Sequence, residues 1–212
     1  SDIQNNQWLS LFDVDRSCIL DPIDHPLPFT PFKDFTGRTI NEINLYSSEM
    51  ASALCSFDRM SLSANMSNRL SEAIVEAYKK TDGSPITFKM MLEEYQAKMT
   101  DAGKDDSITS ILKQLVRANI FEEEDKADLI GDCYIIKMDG YPKDGPIAKA
   151  IVYFIISKLN NIYERLEKQA TNEEVVQIRH FSIIDEAHYM LDFDNRPLRN
   201  LIAVGRNKGL SI

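Results

Sequence analysis

The chain has 212 residues, 43% of them hydrophobic, which is enough to bury the core of one large domain or of a domain with an insertion. Acidic residues outnumber basic ones, 33 to 24, and the formal charge of -9 excludes a surface that acts as a nucleic-acid footprint throughout. Cys18, Cys55 and Cys133 stand far apart with no C-x-x-C pair, which argues against a disulfide framework or a zinc knuckle.

The N-terminus, Ser-Asp-Ile-Gln-Asn-Asn-Gln, is polar, and no apolar run approaches the ~18 to 20 residues of a membrane span, so a cytoplasmic protein without membrane contact is expected. Cys18-Ile19-Leu20-Asp21 reads as a short strand. Pro22, Pro26, Pro28 and Pro31 then exclude a helix and imply a long irregular loop. From about Leu45 to Ala127 the apolar residues recur at helical spacing, as in Leu62, Met66, Leu70, Ile74 and Ala77. Ser47-Ser48-Glu49 and Asp105-Asp106-Ser107 look like helix starts, and Asp82-Gly83-Ser84-Pro85 like a break. Later helices are expected over 87–99 and 107–119, and Glu122-Glu123-Glu124-Asp125 reads as a solvated stretch.

After Asp132 the pattern becomes α/β. Cys133–Ile136 reads as a strand, residues 147–166 as a long helix, and Ile178–Ile184 as a buried strand lying parallel to the first. A helix from Arg196 to Lys208 is closed by Gly209, and Leu210-Ser211-Ile212 opens another strand.

The most informative stretch is Phe181-Ser182-Ile183-Ile184-Asp185-Glu186-Ala187-His188, an apolar run that delivers two adjacent carboxylates at its end. Paired acids at the carboxyl edge of a sheet suit nucleotide hydrolysis: the first serves a magnesium ion through its water, and the second orients or deprotonates the attacking water. Asp185 and Glu186 fit these roles, and they equally fit the first turn of a following helix. His188 is a packed or surface residue rather than a ligand. Arg199 and Arg206 lie seven residues apart on one helical face, with Lys208 at the helix end. They suit the helix C-terminus as well as they suit a transferring phosphoryl group. No G-x-x-x-x-G-K-[ST] phosphate loop occurs in the sequence.

Taken together, Ile183-Ile184-Asp185-Glu186-Ala187-His188 and Leu201-Ile202-Ala203-Val204-Gly205-Arg206-Asn207-Lys208-Gly209-Leu210-Ser211-Ile212 resemble the HerA/FtsK superfamily of hexameric DNA-pumping ATPases. Within it, the nearest likeness is to the DptH-type ATPases of phosphorothioation-dependent restriction systems. The Asp21-Pro22 and Pro26-Leu27-Pro28-Phe29 region resembles the strand and loop that open the superfamily's helical insertion. The resemblance implies part of a RecA-like parallel-sheet core with an all-helical insertion: residues 1–44 as first core strand and loop, 45–128 as insertion, and 129–212 as the incomplete core with Walker B. It implies ATP and magnesium as cofactors, Asp185 for magnesium, Glu186 as catalytic base and Arg206 as sensor or finger. It also implies DNA as substrate, a homo-hexamer, and restriction-system proteins as further partners. Because the Walker A loop and the sensor glutamine are missing from these residues, the chain alone is expected to bind ATP weakly or not at all and to be inactive.

Two other readings compete. Asp185-Glu186-Ala187-His188 spells the box of DEAH helicases of superfamily 2, but the Ser-Ala-Thr motif that usually follows is absent. A non-catalytic interaction module would use the helical region as its working part. Loop residues Lys143 and Lys149 are candidates for DNA contact or for plain solvated lysines.

Overall fold

The computed structural model describes residues 19–57, 64–99, 104–172, 175–185, 193 and 195–212. In order these form β1 (Ile19–Leu20), α1 (Ile40–Ser56), α2 (Ala64–Lys80), α3 (Phe88–Ala97), α4 (Ser107–Ala118), β2 (Ile135–Ile136) and α5 (Pro146–Arg165). There follow β3 (Thr171–Asn172), β4 (Val175–Val176), β5 (His180–Phe181), α6 (Arg196–Gly205), a 3-10 turn (Arg206–Lys208) and β6 (Leu210–Ser211). The protein is mostly helical, with two small parallel strand pairs, and α/β holds in this loose sense.

The proline-rich stretch has no regular structure, yet it is core rather than surface: Leu27, Phe29, Phe32 and Phe35 are buried. Burial is tolerable because prolines bring no N–H that needs a partner. The polar groups that remain are met, since the Leu27 N–H donates to the Ile120 carbonyl at 2.6 Å and the Leu27 carbonyl accepts from the Glu122 N–H at 3.0 Å.

Helix α1 starts earlier than the Ser47-Ser48-Glu49 reading places it. Thr39 is its N-cap, and a capping box pairs the Thr39 side chain with the Glu42 N–H and the Glu42 carboxylate with the Thr39 N–H. Ser47 is buried inside the helix. The break at 82–85 is as expected, with Asp82 and Gly83 both at positive φ, 51° and 84°.

Asp106 caps α4 as its sequence position predicts. Its carboxylate accepts from the Thr109 N–H at 2.8 Å, from the Thr109 hydroxyl at 2.9 Å and from the Tyr95 hydroxyl at 2.6 Å. Burial pushes the Asp106 carboxyl up, but these bonds more than offset it and hold the group below its ordinary value. Asp106→Ala should therefore cost about 2 kcal/mol in urea unfolding at neutral pH. The folded-state pKa lies below the unfolded one, so this contribution is fully present above about pH 4 and is lost as pH falls through the folded value. Asp106→Asn should keep most of the stability and flatten that acid dependence; a loss below about 0.5 kcal/mol in the alanine variant would show that the cap is unimportant.

Packing runs α1 on α2, α2 on α3, α3 on α4, and α5 on α6. Helix α5 is buried on nearly every side, and its Phe154 ring meets Phe32, Phe88 and Phe121 from the proline-rich stretch, α3 and the chain after α4. One buried cluster thus runs from Leu27 to Leu210, through residues on both sides of position 128.

The strand pairs differ from the crossover expected between residues 133–136 and 178–184. β2 pairs in parallel with β1, Ile19 opposite Ile135, and β5 pairs in parallel with β6; among the described residues no ladder joins β2 to β5. The chain before β2 is held in a turn, where the Asp128 side chain accepts the Ile130 and Gly131 N–H groups. The Ile130 backbone lies near the His180 ring of β5 and favours its charged form against burial.

Lys149 is not a loop or surface lysine. It lies on α5, 1% exposed, and its ammonium donates to the Phe57 carbonyl at the end of α1, 3.4 Å away. The dipole of α1 favours a cation there. No helix of the described residues is long and apolar enough to cross a membrane.

Candidate functional site at the ends of the second strand pair

The run that ends in the paired carboxylates folds as β5, with His180 opposite Leu210 and Phe181 opposite Ser211 on β6. The ladder extends a little beyond these residues. Arg179 and His180 N–H groups donate to the Gly209 carbonyl at 2.7 and 3.1 Å, and the Ser182 N–H donates to the Ser211 carbonyl at 2.8 Å. Parallel strands require a crossover, and α6 supplies it. Asn195 starts α6 by accepting the Leu198 N–H at 3.0 Å, with a proline in the first helical positions. Gly209 turns the chain into β6 with φ at 83°.

The strand is not buried as expected. Phe181 is 64% exposed and Ile183 92%, while Ile184, on the alternate face, packs against the core. An apolar run signals that both faces are apolar and carries no information about what covers each.

Asp185 follows β5 in a turn and is exposed, at the carboxyl end of the strand. Glu186 and His188 lie outside the described residues. Arg206 is exposed in the 3-10 turn and has no ion-pair partner among the described residues. Three residues later Gly209 meets the start of β5, so Arg206 belongs to the amino edge of the strand pair and Asp185 to the carboxyl edge. The five residues from His180 to Asp185 span about 16 Å of extended chain. Within one chain the fold separates these two candidates.

Two other cations of the cluster, Lys208 and Arg196, are structural. The Lys208 ammonium donates to the Tyr163 and Glu164 carbonyls at 2.5 and 3.1 Å, so it complements the C-terminus of α5 rather than that of its own helix. Arg196 pairs with Glu49 of α1 at 2.9 Å; burial pushes the Glu49 carboxyl up, and Arg196 opposes that shift. The Asn200 amide donates to Asn160 at 2.8 Å and to Glu164 at 3.3 Å, locking α6 to α5. His180 has partners that spacing could not reveal. Its Nε2 lies 3.1 Å from the Ser182 hydroxyl, and burial lowers its pKa against the opposing effect of the Ile130 backbone.

At the carboxyl ends of the first pair, Lys137 binds Asp21 at 2.7 Å, and this bond lowers the Asp21 pKa and raises that of Lys137. The signal was present in the sequence: each residue immediately follows its strand, and parallel pairing brings the two together. A cleft of about 600 Å³ lies elsewhere, lined by Phe57, Asp105, Asp106, Ser110, Asp144 and Pro146. Its Asp105 is bound to Lys113 at 2.7 Å, and its Asp106 caps α4.

These residues do not make a complete nucleotide site. A triphosphate needs a cradle of backbone N–H groups and a lysine, and no sequence in the chain forms a phosphate loop. The exposed Asp185 carboxylate suits a magnesium water shell but is one ligand only. No protein-family model, curated protein or solved structure matches this chain.

Proposed function

We propose that the chain is the central part of an ATP-driven DNA translocase of the HerA/FtsK type, most similar to DptH, working in DNA restriction or phage defence. The observation that carries this reading is the β5–α6–β6 unit, a parallel pair that presents Asp185 at the carboxyl end of a strand, immediately before Glu186. The two parallel pairs are read as parts of one RecA-like sheet. Asp185 is assigned to the magnesium ion's water shell, Glu186 to the general base and Arg206 to charge sensing, with the phosphate loop supplied by residues outside this sequence. The separation of Arg206 from Asp185 supports a role for Arg206 across a subunit interface of a homo-hexamer rather than within its own subunit.

The interaction-module reading requires bare apolar area on the helical region. Among the described residues that region exposes Ile40 and Leu45, whereas Ile178, Phe181, Ile183, Ile202 and Ile212 are exposed in the α/β part. The apolar surface therefore favours the sheet as the unit that meets other structure.

A longer protein that joins this chain to an upstream lysine loop is expected to hydrolyse ATP and to lose turnover on Glu186→Gln. The 212-residue chain alone should show no micromolar ATP affinity by calorimetry. Unchanged turnover in the variant would remove Glu186 from the chemistry, and micromolar binding by the chain alone would refute the division of the site.

A further inference from the structure

Strand β5 has one bonded edge and one open edge. Its His180 and Ser182 N–H groups donate to the Gly209 and Ser211 carbonyls at β6, so alternation along the strand aims the N–H and carbonyl groups of Phe181 and Ile183 at the other edge. Among the described residues no strand pairs there. The same two residues share one face and are the most exposed apolar side chains of the strand, 64% and 92%. From Ile178 to Ile184 there is no proline and no lysine, the residues that ordinarily blunt an open edge.

We infer that the open edge of β5 pairs with β5 of a second copy of this chain, antiparallel and about a two-fold axis at Ser182. Main-chain groups alone would accept any strand, and the side chains select this one. With the axis at Ser182, Phe181 lies opposite Ile183 of the second copy, twice, and each such pair exchanges two main-chain hydrogen bonds. Arg179 lies opposite Asp185 at both ends, so a cation meets an anion where the apolar pairs stop. Moving the axis to Phe181 sets Arg179 against Ile183, and moving it to Ile183 sets Phe181 against Asp185. Of these three registers, the one centred on Ser182 alone matches apolar with apolar and charge with charge. A strand complementary to itself is what a two-fold contact requires. The pairing does not rest on the nucleotide reading.

Sedimentation equilibrium of the 212-residue chain should show a monomer–dimer equilibrium in the micromolar range. The Phe181 and Ile183 amides should exchange more slowly as the concentration rises, whereas the Ser182 amide, already bonded to β6, should change little. Arg179→Asp and Asp185→Arg each set like charges opposite one another, and each should weaken the dimer by about tenfold or more. Mixed one to one, the two variants should regain the original affinity, because every altered residue then faces its opposite. Should either charge variant lose its native circular dichroism, Ile183→Lys, at a side chain almost wholly in water, gives the same reading by weakening the dimer to a similar degree. A monomer at every concentration would overturn the inference. So would a dimer indifferent to these substitutions, which would place the contact on another surface, or a mixture that associates no more tightly than its parts.

Discussion

Phe154→Ala is expected to lower the unfolding free energy by about 4 kcal/mol. The ring is fully buried, and its neighbours Phe32, Phe88, Phe121 and Tyr153 have centroids 5.6, 5.2, 5.8 and 5.1 Å away, all edge-on. Three of those neighbours belong to separate parts of the chain: the proline-rich stretch, the first residue of α3 and the segment after α4. Truncation leaves a cavity whose walls are anchored independently, so they cannot close on it together, and the cavity term is retained nearly in full. Phe154→Leu keeps most of the volume and should cost no more than about 1.5 kcal/mol. Urea denaturation with an unchanged m-value is the measurement. A loss below about 1.5 kcal/mol in the alanine variant would mean that the helices collapse onto the gap, and that Phe154 does not tie them together.

Gly209→Ala should cost about 3 kcal/mol, for two reasons that can be separated. The residue has φ 83° and ψ 24°, a conformation that any side chain disfavours. A Cβ placed there would also lie 2.6 Å from the Gln177 carbonyl oxygen and 2.9 Å from the Arg179 nitrogen, both backbone atoms leading into β5. Relief requires shifting the strand that carries Asp185. Asparagine tolerates the left-handed region but carries the same Cβ, so Gly209→Asn should recover only the dihedral share. The Ser182 amide, bound to the Ser211 carbonyl, should exchange faster with solvent in both variants. Full recovery in the asparagine variant would show that the close approach is harmless.

Much of the helical architecture was legible from local chemistry. Residues 147–166 predict α5 to within one residue at each end, and Asp106 and Gly209 act as the terminators their residue types suggest. The start of α1 was missed although Thr39 and Glu42 spell a capping box, because the proline-rich residues before it mask the onset of periodicity. Lys149 was misread because a lysine on a long helix is ordinarily solvated; only the burial of α5 on most of its circumference makes it internal. At the candidate site, the order strand, acid, helix, glycine, strand placed Asp185 at the end of β5. The pairing partners were not legible, since parallel ladders join residues far apart in sequence and the apolar pattern of a strand does not name its neighbour. The separation of Arg206 from Asp185 was hidden for the same reason, because it follows from the direction in which α6 returns.

The parallel pairing of Ile19 with Ile135, the Asp21–Lys137 bond and the Lys149 ammonium at the end of α1 have a consequence for how the protein is made. Residues 116 positions apart must both exist before β1 gains a partner. At translation rates of about 5 to 20 residues per second, the segment carrying Ile19 emerges on the order of ten seconds before its strand partner. During that interval Phe32 lacks the Phe154 ring of α5 against which it finally packs. The nascent chain should therefore hold the helices from α1 to α4 as an open, sticky assembly that engages a chaperone until α5 leaves the ribosome and closes it.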